Sequence, residues 1–196
     1  MKKYVVAAGA LFFFSANVSA ETGFSVDFLL GNADQETEIG DVTSVSGNSL
    51  SLGLRAAYAF NEYVAAELSY IHYGEMEDSF IDPFGDTITE KVTTSSVNAG
   101  LKASLPIRNG FSLFGRAGAS RWNYDVEESD SSLPGEVYKL SDDGIDFYYG
   151  AGAEYRASTN IRVALEYTNL TFDGTLNSVD YDHTINNIAL SLGYAF

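Results

Sequence analysis

The amino-acid sequence predicts an all-β chain: an eight-stranded antiparallel up-and-down transmembrane β-barrel, preceded by a cleavable signal peptide. Three observations carry this expectation. Apolar residues recur with a period of two in eight segments of about ten residues, the length of a tilted membrane-crossing strand. The links between the segments alternate between short and long. The first twenty residues read as an export signal rather than as part of a fold.

The leader comes first. Met1-Lys2-Lys3 is a short basic stretch, residues 4–15 are apolar, and Val18-Ser19-Ala20 places small residues where a signal peptidase reads. A membrane-anchoring helix needs about twenty apolar residues, and this run has about twelve before Asn17. The expectation is a signal peptide over residues 1–20, cleaved after Ala20, and one barrel domain over residues 21–196, located in the bacterial outer membrane.

Eight strands follow. The first presents Phe24, Val26, Phe28 and Leu30 on one face, and the second Leu50, Leu52, Leu54, Ala56, Tyr58 and Phe60, with Ser51, Gly53 and Arg55 opposite. Val64, Ala66, Leu68 and Tyr70 mark the third against Glu67 and Ser69; Val97, Ala99, Leu101 and Leu105 mark the fourth against Asn98, Gly100 and Lys102. The fifth sets Phe111, Leu113 and Ala117 against Ser112, Phe114 and Arg116. Phe147, Tyr149, Ala151 and Tyr155 outline the sixth, Ile161, Val163, Leu165 and Tyr167 the seventh, and Ile188, Leu190, Leu192, Tyr194 and Phe196 the last. Residues i and i+2 share a strand face, so each segment has one apolar face and one of small or charged residues. No stretch has a convincing 3.6-residue period. Short links at residues 60–62, 106–110 and 156–160 alternate with long ones at 32–47, 74–92, 125–143 and 171–183. That is the plan of a membrane barrel with turns at one surface and loops at the other. A soluble lipocalin-type barrel would point its apolar face inward. The charged faces here would make a poor wall for a hydrophobic ligand and suit a packed polar lumen better.

Charge is partitioned along the chain. There are 27 acidic and 11 basic residues, a net charge of −16, and no cysteine. That balance excludes nucleic acid as a partner, because phosphate binding needs a basic footprint. Without cysteine there are no disulfides, thiolate zinc sites or cysteine nucleophiles. The four long links hold 20 acids and 2 bases, while the strands and short turns after the leader balance at 7 and 7. The loops are therefore expected to carry the whole negative charge. Three uses are open: solubility and loop repulsion, divalent-cation bridging among carboxylates or to lipopolysaccharide, and contact with basic host or environmental surface molecules.

The inward faces collect Asp27, Glu67, Glu154 and Glu166 with Arg55, Lys102, Arg116 and Arg162. Charges in a narrow interior are tolerated when paired. The network is expected either to fill the barrel or to act as a gate, with Glu67, Lys102, Arg116 and Glu154 at its centre. Tyr58, Phe60, Tyr70, Trp122, Tyr155, Tyr167 and Tyr194 are assigned as interfacial aromatic anchors, with Arg121 meeting a lipopolysaccharide phosphate.

The segment from Gly150 to Leu170 is a Gly/Ala strand, a short turn and then Arg162-Val163-Ala164-Leu165-Glu166-Tyr167. It resembles the penultimate hairpin of OmpA-type transmembrane domains. The ending from Asn187 to Phe196 resembles their closing strand, and its terminal Phe196 resembles the signal read by the barrel-assembly machinery. The resemblance is specific over the last fifty residues and architectural before them. With the sequence ending at Phe196, a periplasmic peptidoglycan-binding domain is not expected to carry over from the resemblance. The implied relatives are small stand-alone barrels of the OmpX, Ail and opacity type. Their family implies outer-membrane lipids as surroundings, a structural or adhesive surface role, and, as alternatives, a narrow low-conductance pore gated by the lumenal salt bridges or a lipid A-modifying enzyme.

The enzyme reading has little to stand on. Lipid-modifying barrels use His/Ser or His/Asp/Ser arrangements, and only His72 and His183 are present. Asp182 and Thr184 flank His183, but both histidines are expected to be solvated rim residues, and no catalytic residue is assigned. No cofactor or metal is called for. Gly150-x-Gly152 lacks the third glycine of a dinucleotide site, and Thr37 stands where a calcium loop starting at Asn32 needs glycine.

Overall fold

The computed structural model describes residues 22–40, 43–81, 85–132, 136–176 and 178–196. The leader, its cleavage site, Asp41 and Asp82 lie outside the described residues. The elements are all strands: β1 (Gly23–Ile39), β2 (Thr43–Ala59), β3 (Val64–Ile81), β4 (Thr87–Arg108), β5 (Phe111–Asp130), β6 (Val137–Arg156), β7 (Ile161–Leu176) and β8 (Val179–Ala195). Each pairs antiparallel with its sequence neighbour, and β8 returns to β1 to close the barrel. That closing ladder runs from Ser25↔Ala195 to Ile39↔Tyr181.

The strands are 16 to 22 residues long, which corrects the expectation of short strands joined by four long loops. Stretches read as loops continue the strands, because the period-two pattern persists with other residue types. Beyond Leu30, β1 buries Ala33, Gln35 and Thr37 and exposes Asp34, Glu36 and Glu38. Water solvates the outward carboxylates while ladders to β2 and β8 satisfy the backbone. Nothing therefore ends the strand where its apolar face ends.

That end is visible as a ring. Exposed apolar side chains cover the outer face up to Leu30, Leu50, Tyr70, Val97, Phe147 and Ile188, among others. The outward residues that follow are polar: Asn32, Asn48, His72, Ser95, Asn169 and Asn186. On the other side of the band lie the short turns. Asn109 and Gly110, with φ of 55° and 83°, form the two-residue link between the paired Arg108 and Phe111. Positive φ at both positions matches the twist of the flanking strands, and Asn-Gly accepts it at little cost.

Beyond the polar ring the ladders no longer close. β2 and β3 pair only from Leu52↔His72 to Ala59↔Ala65, and β6 and β7 only from Tyr148↔Leu170 to Arg156↔Arg162. The other ladders run on. The distal part is thus two four-stranded sheets, β3-β4-β5-β6 and β7-β8-β1-β2, facing each other. β3 leaves β2 at a bulge between His72 and Glu75, where Gly74 takes φ of 84°. Such a conformation suits glycine and sharpens the bend. Between the sheets lies an apolar core that includes Met76, Val92, Trp122, Phe172, Tyr181 and Ile185.

Candidate functional site

The lumen is filled in layers, and the eight charged residues expected there are all inside. Nearest the turns, Arg162 donates from Nε and Nη2 to Asp27 Oδ1 at 3.0 and 2.8 Å, and to Ser25 Oγ at 2.6 Å. These residues are on β1 and β7, two strands apart, and meet over Gly193 of β8, which pairs with both. A Cβ there would fall 2.0 Å from Asp27 Oδ1, so the bridge needs glycine beneath it. Lys102 completes this layer by donating to Glu154 Oε2 at 2.6 Å, with Arg162 3.8 Å from the same oxygen.

A second quartet sits above. Arg55 forms two hydrogen bonds to Glu166, at 2.6 and 3.0 Å, and Arg116 donates to Glu166 Oε1 at 3.0 Å. Glu67 lies 3.4 Å from Arg116 and 4.0 Å from Arg55. Glu67 Oε2 and Arg116 Nε are buried and form no hydrogen bond: they attract each other as ions without aligned donor geometry. Phe114 separates the layers, with Lys102 Nζ 4.5 Å and Arg116 Cζ 4.9 Å from its ring centroid. The expected centre of Glu67, Lys102, Arg116 and Glu154 is therefore divided between two neutral quartets. Strand adjacency suggested the grouping, but barrel shear and side-chain reach decide which charges meet.

Polar pairs come next. Ser51 donates to Asn187 Oδ1 at 2.6 Å, and Tyr73 shares a hydrogen bond with Ser96 at 3.1 Å. A cavity of about 10 Å³ lies among Arg55, Asn98, Tyr148 and Thr168. That is room for about one water molecule.

Above it is an aromatic layer that the sequence reading missed. Trp122 stacks on Phe172 with centroids 4.0 Å apart, and Tyr124 stacks on Tyr181 at 5.0 Å. Trp122 is 2% exposed, which corrects its assignment as an interfacial anchor. It shares the inward parity of Arg116 and Ser120 on β5, so extending the alternation past the membrane band would have placed it. Its Nε1 donates to Asp146 at 2.8 Å, and Tyr181 donates to Asp142 at 3.0 Å. The other assigned aromatics, Tyr58, Phe60, Tyr70, Tyr155, Tyr167 and Tyr194, are exposed on the outer face, as anchoring requires. Phe196 is also exposed, and its backbone N–H donates to Phe24 O at 2.9 Å.

His183 is in the same layer and is not a solvated rim residue, a second correction: it is fully buried. Its Nδ1 lies 2.8 Å from Thr37 Oγ1 and its Nε2 3.4 Å from Thr94 Oγ1. Tyr124 and Phe172 pack against the ring. Asp182 and Thr184 alternate to the other face, so they do not form an acid–histidine–hydroxyl set with it. Burial lowers the imidazole pKa from 6.5 to about 4, keeping it neutral. Burial and the Asp142 carboxylate push the Tyr181 phenol upward.

The distal rim is acidic on both faces. On the inward register Asp78, Glu90 and Glu128 are paired side by side, and partial burial with these neighbours raises the Glu90 pKa. Outside, Lys91 is 2.9 Å from both Glu75 and Glu77, and Lys139 bridges to Glu127. Glu38, Asp182 and Asp173 occupy adjacent positions on β1, β8 and β7. Arg121, expected to meet lipid phosphate, faces Asp143 at 3.4 Å.

Comparison with known proteins agrees with this architecture. The family model of the OmpA-like transmembrane domain matches residues 21–196. No curated protein matches the sequence. Among solved structures, Neisserial surface protein A is similar with a TM-score of 0.64 at 15% identity, covering 89% of this chain and 97% of that one. Ail of Yersinia pestis, in complex with the heparin analogue sucrose octasulfate, gives 0.51 at 20%, covering 89% and 99%. OprG of Pseudomonas aeruginosa gives 0.56 at 9%, covering 90% and 97%. At these identities the likeness is one of fold.

Proposed function

The chain belongs to the OmpA-like transmembrane domain family, and we propose that this outer-membrane barrel is a closed scaffold that presents acidic sheets outside the cell to cationic partners. The observation that carries the proposal is the division of the molecule at its polar ring. Below the ring, lumenal charges are paired within two neutral quartets. Above it, acids far outnumber bases. In this family's orientation the short turns are periplasmic and the distal sheets extracellular.

A conducting pore is the weaker reading. Ions would have to pass both quartets, a void the size of one water and the stacked aromatic layer. The lipid-modifying reading is weaker again, because His183 is enclosed and its hydrogen-bonding partners are threonines. Ail was crystallised with a sulfated polyanion, but the outer carboxylates of this chain would repel such a ligand. The cationic partner is chosen on that charge.

The test uses the refolded protein in zwitterionic vesicles. Polylysine is expected to bind at low salt and to be released at high salt, where surface charges are screened, while heparin stays free. Heparin binding as tight as polylysine binding would refute the proposal. In planar bilayers no conductance is expected; conductance abolished by Glu67→Ala or Arg116→Ala would restore the gate.

A further inference from the structure

We propose that the groove at the turn end of β4, β5 and β6 is a binding site for an anionic phospholipid of the periplasmic leaflet, its phosphate held by Arg108 with Arg156 beside it. The site lies at the end of the barrel opposite the acidic sheets and does not depend on what they bind.

Charge singles out this end. The short turns at residues 60–62, 106–110 and 156–160 carry one acid, Glu62, against two bases, Arg108 and Arg156. The arginines come from different turns but end on the same side of the barrel. The Arg156 backbone N–H donates to Gly110 O at 2.9 Å, which fastens the β4–β5 turn to the end of β6. Both arginines line a groove of about 390 Å³, together with Glu62, Glu154, Phe111 and Ser112. Of its acids, Glu154 is held by Lys102 at 2.6 Å, and Glu62 accepts from the Tyr63 hydroxyl. Among the described residues the Arg108 side chain is exposed and has no hydrogen bond or ion pair.

A bulge aims Arg108. Counted by twos from the buried Lys102, Arg108 would face the lumen. The register shifts between Pro106 and Arg108, so that Pro106 pairs with Ser112 and Arg108 with Phe111. Residues directly opposite share a face, and Phe111 is on the outer one, exposed toward lipid. The extra residue, Ile107, thus returns Arg108 to the outer surface at the last step of the apolar band. Leu105, Ile107, Phe111 and Tyr155 are exposed around it, and the Phe111 and Tyr155 ring centroids are 4.6 Å apart.

This combination selects a lipid. A guanidinium fork matches two phosphate oxygens. At the edge of the band it reaches headgroup level while its stem stays on apolar surface. Ile107, Phe111 and Tyr155 then offer a wall to the acyl chains. A soluble anion would use the arginines and gain nothing from that wall. Arg121, at the other rim of the band, faces Asp143 instead.

The test is native mass spectrometry of the refolded protein in zwitterionic micelles, titrated with phosphatidylglycerol or phosphatidylcholine. Phosphatidylglycerol is expected to be retained about tenfold or more strongly, because its phosphate has no tethered cation to compete with the arginines. Arg108→Gln should lower its retention about tenfold, by loss of a charge-assisted pair. Arg121→Gln makes the same charge change at the other rim and should leave retention unaltered. Both variants should keep heat-modifiable gel mobility. Equal retention of the two lipids, or an unaltered Arg108→Gln, would overturn the site. Equal losses in Arg108→Gln and Arg121→Gln would also overturn it, as a general response to net charge. Displacement of the lipid by an equal concentration of inorganic phosphate would overturn the lipid as occupant in favour of a soluble anion.

Discussion

Replacing Phe172 by alanine tests whether the extracellular half is a packed core. Phe172 is 1% exposed, stacks on Trp122 at an interplanar angle of 13°, and packs edge-on or tilted against Tyr124, Tyr181 and His183. Truncating a buried phenylalanine costs about 3–5 kcal/mol, of which the aromatic contacts account for about 0.5–1.5 kcal/mol per pair. His183 borders the space that would open, with Thr37 and Thr94 at its ring nitrogens, so water can enter it and the loss should fall near 3 kcal/mol. The assay is urea unfolding of the barrel in vesicles, followed by the emission of Trp122, the only tryptophan. Wild-type emission should be shielded from aqueous quenchers and poorly quenched by brominated lipid, whereas in Phe172→Ala the aqueous quencher gains access. A loss below about 1 kcal/mol, or strong quenching of the wild type by brominated lipid, would show that Trp122 lies at the lipid interface and that the stacked layer does not exist.

The other expectations concern charge. His183 takes up a proton near 6.5 in the unfolded chain but near 4 when buried. The unfolded state therefore binds more protons between these values, and stability should fall by roughly 3 kcal/mol as pH drops from 6.5 to 4. His183→Gln should flatten that part of the urea-stability profile; an unchanged slope would locate the titrating group elsewhere. Glu166→Gln leaves Arg55 and Arg116 with Glu67 as their remaining acid in the quartet and should cost about 3–5 kcal/mol, read as a lower urea midpoint. Planar-bilayer conductance should stay at baseline in that variant, because the aromatic layer still closes the lumen; a new conductance would refute closure by that layer. Asp182→Lys relieves like-charge neighbours Glu38 and Asp173. It should raise the urea midpoint at low salt but not at about 1 M salt, where the Debye length is about 3 Å; a salt-independent gain would show a packing effect instead.

Much of the fold was legible because a strand encodes its faces locally. Phe24 to Leu30 and Ile188 to Phe196 declare their outer faces by alternation alone, and the spacing of the short turns orders the strands. The same parity placed Asp27, Arg55, Glu67 and Arg116 in the lumen. At Trp122 and His183 residue type and parity point to different places, and parity prevails. As an aromatic, Trp122 suggests the interface, and His183, a polar residue next to an acid, suggests the rim; both are buried inside. Polar stretches suggest irregular loops, but a strand outside the bilayer can carry carboxylates on its outer face, as β1 does at Asp34, Glu36 and Glu38.

Sequence by itself determined the number of strands, their inward and outward faces, the balance of four acids and four bases in the lumen, and the confinement of net charge to one end of the molecule. All of these follow from a period-two repeat read along one strand at a time. Only the tertiary structure decided which charges meet and where the ladders part. Asp27 reaches Arg162 because barrel closure brings β1 and β7 to either side of Gly193. The quartet of Arg55, Glu67, Arg116 and Glu166 draws on four strands at once. The seam beside β6 exists because β7 stops pairing above Leu170 while β5 continues. Register between strands is a property of the closed sheet, set by all eight together.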